Sequence, residues 1–162
     1  MNVTLQKVLE KDKIILRNLY SLYLHDLSTY TSTLDIGEDG FFEYEEIEMF
    51  WKIEGMSPYF IHLDEKIVGF ILLLERPFLS KERDCGVNDI FILNKYKGKG
   101  IGRLALKKLF QEKQGKYFVV ELAANTPAVS FLKKILHEFQ LEYEERMEVI
   151  DGEKCYIQKF TV

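Results

Sequence analysis

The segment "DIFILNKYKGKGIGRLALKKL", residues 89–109, constrains the fold more than any other. Its apolar opening reads as a strand, and its end places Ile101, Leu104, Ala105 and Leu109 on one face of a helix. Between them Gly98, Gly100 and Gly102 alternate with lysines. The first amides of a helix have no internal partner, and the helix dipole adds positive potential there, so this junction is built to hold an anion. Glycines remove the Cβ atoms that would keep a phosphate away from those amides. Lys95, Lys97, Lys99, Arg103, Lys107 and Lys108 add positive charge, with no acidic residue among them, although the chain as a whole carries a formal charge of −4. A ligand with several phosphates fits such a junction better than a plain turn does.

Spacing excludes the two common nucleotide loops. No G-x-x-x-x-G-K-S/T string occurs, and the third glycine of G-x-G-x-x-G counted from Gly98 falls on Arg103. The acidic balance argues against a general nucleic-acid binder. The longest apolar run, "IVGFILLL" at 67–74, is far short of a membrane span, and the first residues, "MNVTLQKV", alternate like a strand instead of forming a leader. Cys85 and Cys155 lack metal-like spacing and read as reduced thiols of a cytoplasmic protein; His25, His62 and His137 are scattered, and no metal is expected.

The length of 162 residues fits one domain, spanning 1–162. Strands are expected at 2–8, 58–63, 66–76, 87–93 and 116–123, with two more closing the chain. A helix over about 11–28 presents Ile15, Leu19, Leu22 and Tyr23, and a short second one presents Tyr44, Ile47, Phe50 and Trp51. The last helix is capped by Asn125, with Pro127 in its first turn, and carries apolar residues at 128, 131, 132, 135, 136 and 139. The order β-α-α-β-β-β-α-β-α-β-β predicts an α/β fold of the α+β type: a mixed, mostly antiparallel twisted sheet of about seven strands with about four helices.

Two landmarks carry a resemblance to a known family. "KGKGIG" at 97–102 resembles the R/Q-x-x-G-x-G/A pyrophosphate loop of the GNAT superfamily of acyl-CoA N-acyltransferases, and "NTPAVSFL" at 125–132 resembles that family's N-x-x-A-x-x-F/L-Y segment. The element order matches over nearly the whole chain, and the sequence is similar to uncharacterised bacterial predicted acetyltransferases. The resemblance implies acetyl-CoA as co-substrate. It implies a bulge in the fourth strand, with the backbone of Ile90, Ile92 and Leu93 holding pantetheine. The amides of Lys97, Gly98, Lys99, Gly100, Ile101, Gly102 and Arg103 would hold the pyrophosphate, and Asn125 would bond the pantetheine arm.

A bound amine would attack the thioester directly, and because an alkylamine is almost wholly protonated at neutral pH it needs a base. Asp89, with Asn88 beside it, is the leading candidate; alternation lets one of the two face the substrate, and Asp84 and Glu121 are the other options. The Tyr that commonly protonates the departing thiolate in this family is replaced by Leu132, leaving Tyr96, Tyr117, Tyr143, Tyr156 or solvent. The stretch "DIGEDGFFEYEEIEMFW" at 35–51 combines seven acidic residues with five aromatics, which suits either a solvated helix face or a rim for a cationic amine. The expected function is an N-acetyltransferase for a primary amine of a small molecule or peptide, as a monomer or homodimer with no nucleic-acid or membrane partner. The alternative is a GNAT-fold module that binds acyl-CoA without turnover.

Overall fold

The structure is a computed structural model that describes residues 1–42 and 45–162. Its elements run β1 Val3–Lys7, α1 Lys13–Leu27, β2 Met56–Leu63, β3 Lys66–Glu75, β4 Cys85–Ile92, α2 Ile101–Glu112, β5 Lys116–Leu122, α3 Thr126–Glu138, β6 Tyr143–Ile150 and β7 Glu153–Thr161. The second expected helix is a 3-10 stretch, Glu45–Trp51, which buries Ile47 and Phe50 and ties Trp51 Nε1 to the Val8 carbonyl at 3.0 Å. Tyr44, expected on the same side, lies outside the described residues.

One sheet takes the order β1-β2-β3-β4-β5-β7-β6. The β4–β5 pair is parallel and the others are antiparallel. β3 is an interior strand, and Val68, Phe70, Ile71, Leu72 and Leu73 are all 0% exposed, because both faces of the sheet are covered there. A strand in that position has no solvent face on which to place polar residues, which is why its sequence is an unbroken apolar run. On one side Ile71, Leu73, Val87 and Tyr117 pack against α2 and α3 through Leu106, Leu109, Leu132 and Leu136. On the other, Phe60, Phe70, Leu72 and Phe91 pack against Leu16, Tyr20 and Leu24 of α1.

α1 forms where its periodicity predicts, but it is rotated. Leu16, Tyr20 and Leu24 are buried, while Ile15 and Leu22, expected on the inner face, are 41% and 49% exposed. Apolar residues spread over more of the helix than the buried stripe, with Ile14, Ile15 and Leu22 beside it, so its sequence alone does not select the inner stripe. α3 opens as expected: Asn125 Oδ1 accepts from the Ala128 amide at 3.3 Å, and Pro127 sits in the first turn where no donor is needed. Both cysteines are free and buried.

Candidate active site

Where β4 and β5 part, the sheet opens. Their parallel pairing covers Cys85–Val87 against Tyr117–Val119 and then stops. Directly beyond, the register with β3 slips: Leu73 faces Val87 and Leu72 faces Asp89, so Asn88 is an extra residue, a bulge. A bulge adds local twist and turns the strand away from its neighbour. The expected consequence of strict alternation does not hold here. Asn88 Nδ2 donates to Asp89 Oδ2 at 2.7 Å, so the two side chains meet instead of pointing to opposite faces.

The gap continues into a cleft of about 570 Å3 whose walls come from α1, the end of β4, the glycine loop and the start of α3. Ile90, Ile92, Lys97, Gly98, Gly100 and Asn125 lie in that wall, with Ile101, Gly102 and Arg103. Gly98 and Gly100 have φ of +75° and +79°, and a Cβ at either would meet nothing within 4 Å, so the turn faces open space. Among the described residues, none of the amides of residues 98–103 donates to a backbone carbonyl. Gly102 differs: a Cβ there would lie 3.1 Å from the Phe131 ring, so this glycine lets α2 and α3 approach.

The charge of the loop is partly answered within the fold. Lys97 Nζ donates to Asp26 Oδ2 at 3.3 Å and Arg103 Nε to Glu138 Oε1 at 2.7 Å, while Lys95 and Lys99 lie over the Tyr96 ring at 5.6 and 5.9 Å. The acids come from α1 and α3, which a reading of residues 94–109 alone does not include.

Asp89 sits on the α1 face of the bulge. The Tyr20 hydroxyl donates to Asp89 Oδ2 at 3.2 Å, and the Tyr23 hydroxyl bonds the same carboxylate. Both rings are fixed by packing: Tyr20 and Tyr23 lie 5.6 and 5.7 Å from Phe70, and Tyr23 lies 5.9 Å from Phe91. Burial pushes the Asp89 carboxyl up to about 6, and the hydrogen bonds from Tyr23, Asn88 and Tyr20 pull against that rise. A carboxyl so placed titrates near neutrality, where a base for an amine is effective. On the far side of Tyr20 a hollow of about 230 Å3 opens between α1 and the following loop, with Arg17, Asp39 and Phe42 in its wall.

Other expectations are corrected. The Leu93 amide donates to the Val68 carbonyl at 2.9 Å, so it is spent on β3; ladder alternation turns the Ile90 and Ile92 amides toward the gap instead. The Lys99 side chain stands over Tyr96 and does not line the cleft, so only its backbone amide is left for the expected role. Asp84 lies at the opposite end of β4, accepting from the Lys116 amide at 2.8 Å and pairing with Arg76 at 3.0 Å, and takes no part in the cleft. Tyr117 OH is committed to the Lys113 carbonyl at 2.6 Å. Glu121 faces the α3 side of the sheet, not the side of Asp89, and Leu132 is buried in the core as part of the apolar stripe. The sequence reading missed Tyr20 and Tyr23 as site residues. Their aromatic-polar character at i, i+3 on one helix face is the only local signal they give.

The model for the Acetyltransferase (GNAT) family matches residues 17–137, three quarters of the chain. The chain belongs to the GNAT acetyltransferase family. No curated protein matches it by sequence. Among solved structures it is similar to an acetyltransferase from Thermus thermophilus, at 14% identity and a TM-score of 0.71 over 100% of this chain and 98% of that one. A GNAT family acetyltransferase from Elizabethkingia anophelis with acetyl-CoA bound matches at 13% identity and a TM-score of 0.63 over 99% of each chain. Arabidopsis thaliana Naa50 in complex with the bisubstrate analogue CoA-Ac-MVNAL matches at 17% identity and a TM-score of 0.63 over the whole of both chains. At such identities the likeness establishes the fold, a mixed seven-stranded GNAT sheet with helices on both faces. The family's acetyl donor must then be matched to this chain's own residues.

Proposed function

We propose that the protein is an acetyl-CoA-dependent N-acetyltransferase that moves an acetyl group to a primary amine of a small molecule or peptide. The observation that carries this reading is the continuity of one cleft, from the unpaired amides at the mouth of α2 to the gap between β4 and β5. The residues fit the donor. Backbone amides of 98–103 suit a diphosphate, the exposed strand amides of Ile90 and Ile92 suit an extended amide-bearing arm, and Asn125 keeps its side-chain NH2 to offer, since its Oδ1 caps α3.

When bound, acetyl-CoA supplies an acetyl group already activated as a thioester. Everything else falls to the chain. The strand amide beside the bulge polarises the carbonyl and stabilises the charge that develops on its oxygen. Asp89, held by Tyr20, Tyr23 and Asn88, takes the proton that the amine must lose, directly or through a water. The hollow beside Tyr20 lies next to the tyrosine that donates to Asp89 and offers the amine a place to bind near that carboxylate.

The test has two stages. Calorimetric titration with CoA comes first, then thiol release from acetyl-CoA over a panel of polyamines, aminoglycosides, amino acids and peptides. Binding with release on at least one acceptor is the expected result. Absence of CoA binding overturns the reading, and binding with no release on any acceptor favours the module without turnover.

A further inference from the structure

A second carboxyl borders the same gap from the other face of the sheet. Glu121 is the first residue on its face of β5 after the parallel pairing with β4 ends at Val119. It lines a cavity of about 50 Å3 with Leu132, Leu106 and Phe110, and three residues of that cavity wall, Ile90, Ala128 and Phe131, are also walls of the large cleft. A water needs only roughly 15 Å3 of such space, so the cavity has room for a small group beside the cleft. Glu121 Oε1 is enclosed and has no hydrogen-bond partner among the described residues, although the Gln158 side chain hydrogen-bonds the carboxyl group. A buried polar atom without a partner is costly and calls for an explanation.

We propose that Glu121 is the acid that protonates the sulfur leaving group, so that the two faces of one gap divide the proton work between Asp89 and Glu121. The inference rests on the acetyl-CoA reading above. As the amine nitrogen bonds to the acetyl carbon, the carbon–sulfur bond breaks and its electron pair stays on sulfur. The Glu121 carboxylic acid passes its proton to that sulfur, and the resulting carboxylate regains a proton from water when the product leaves.

Burial pushes Glu121 up to about 7; the hydrogen bond from Gln158 opposes the rise, Glu145 adds to it and Lys133 opposes it. An acid in that range is matched to a thiol whose ordinary value is about 8.5. The groups facing it are few: Gln158 and Tyr156 from β7, Glu145 from β6 and Lys133 from α3, the last lying over the Tyr156 ring at 5.7 Å. The other hydroxyls are elsewhere engaged or placed. Tyr117 bonds Lys113, Tyr96 stands beside the phosphate loop, Tyr143 lies exposed on the outer strand, and Tyr156 does not line the shared cavity.

The experiment needs no acceptor. The thiol of bound CoA is titrated by its thiolate absorbance in the wild type, in Glu121→Gln and in Tyr156→Phe. An ionised Glu121 beside the sulfur raises the thiol value, so the expected result is an acid constant about tenfold smaller in the wild type than in Glu121→Gln, with Tyr156→Phe like the wild type. A second measurement uses the intact chain: with 13C-labelled glutamate, CoA moves the titration of the Glu121 carboxyl, whereas desulfo-CoA does not. Equal thiol titrations in wild type and Glu121→Gln, or equal responses to CoA and desulfo-CoA, overturn the proposal. If neither compound binds at all, the acetyl-CoA reading itself has failed, and that outcome is distinct.

Discussion

The glycine loop lies in the wall of the cleft, the bulge of β4 lies just before Ile90 where that wall begins, and the two are made of different material. The loop offers backbone: Gly98 and Gly100 in left-handed conformations, open space around them, and amides that donate to no backbone carbonyl among the described residues. The bulge offers side chains: Asp89 enclosed by Tyr20, Tyr23 and Asn88 and pushed toward neutrality by that enclosure. A backbone site is generic, since any diphosphate presents the same oxygens to the same amides. A site of enclosed side chains is particular to one reaction and one geometry. The contrast means that the two regions should fail differently when perturbed, one losing affinity and the other losing rate.

The largest effect is expected in the glycine loop. Gly100→Asp puts a side chain and a negative charge where φ is +79° and where the phosphates would rest. The left-handed conformation alone costs about 1 kcal/mol in an ordinary residue, and repulsion of a polyanion adds more, so CoA should bind on the order of 100-fold more weakly. Gly100→Ala isolates the strain and should weaken binding only several-fold. Calorimetric titration of both variants decides the matter, and unchanged affinity in Gly100→Asp would remove the loop from the site.

At the bulge, Asp89→Asn should leave CoA affinity within twofold of wild type while turnover on the acceptor found by screening falls roughly 100-fold or more, the usual scale for a lost general base. In the wild type, kcat/KM should rise with pH through about 6 as the carboxyl ionises, and the variant should lose that limb. Stability should move the opposite way. Burial raises Asp89 from 3.8 to about 6, so the folded chain holds the proton more tightly than the unfolded one. The stabilising contribution is complete below about pH 4 and is lost as the pH rises through about 6. At pH 8 the variant no longer carries a desolvated charge and should be more stable by up to about 3 kcal/mol, with little difference at pH 4. Paired thermal melts at the two pH values check the sign; a destabilised variant at pH 8 would mean that the hydrogen bonds outweigh desolvation.

The same contrast governs what could be read from the sequence. The loop was legible because its parts are contiguous: Gly98, Gly100 and the helix that starts at Ile101 lie within a few residues, and the requirement for φ above zero shows as glycine. β3 was legible because burial on both faces leaves only apolar residues. The environment of Asp89 was not, because Tyr20 lies 69 residues away and is placed by the rotation of α1, a helix whose apolar surface is wider than the stripe it buries. The neutralising partners of Lys97 and Arg103 are hidden for the same reason, contributed by Asp26 and Glu138 from other helices. Asn88 and Asp89 show the limit from another direction: strict alternation sets them on opposite faces, and one inserted residue in the register of β4 against β3 brings them together.

The smallest effect tests whether that long-range placement matters. Tyr20→Phe removes one donor to Asp89 Oδ2 while keeping the ring that packs on Phe70. With Tyr23 and Asn88 still bonded to the carboxylate, the loss should raise the Asp89 value by less than one unit, since hydrogen bonds to the charged form lower it. The acidic limb of kcat/KM should therefore move upward by a fraction of a pH unit, with turnover at pH 8 nearly intact and CoA affinity unchanged. A contact worth roughly 1 kcal/mol can do no more than that. If the limb stays fixed, Tyr20 is only a packing residue, and the base is positioned from within β4 by Asn88; if turnover collapses at every pH, the hydroxyl touches the substrate, and the acceptor lies deeper under α1 than the hollow beside Arg17 suggests.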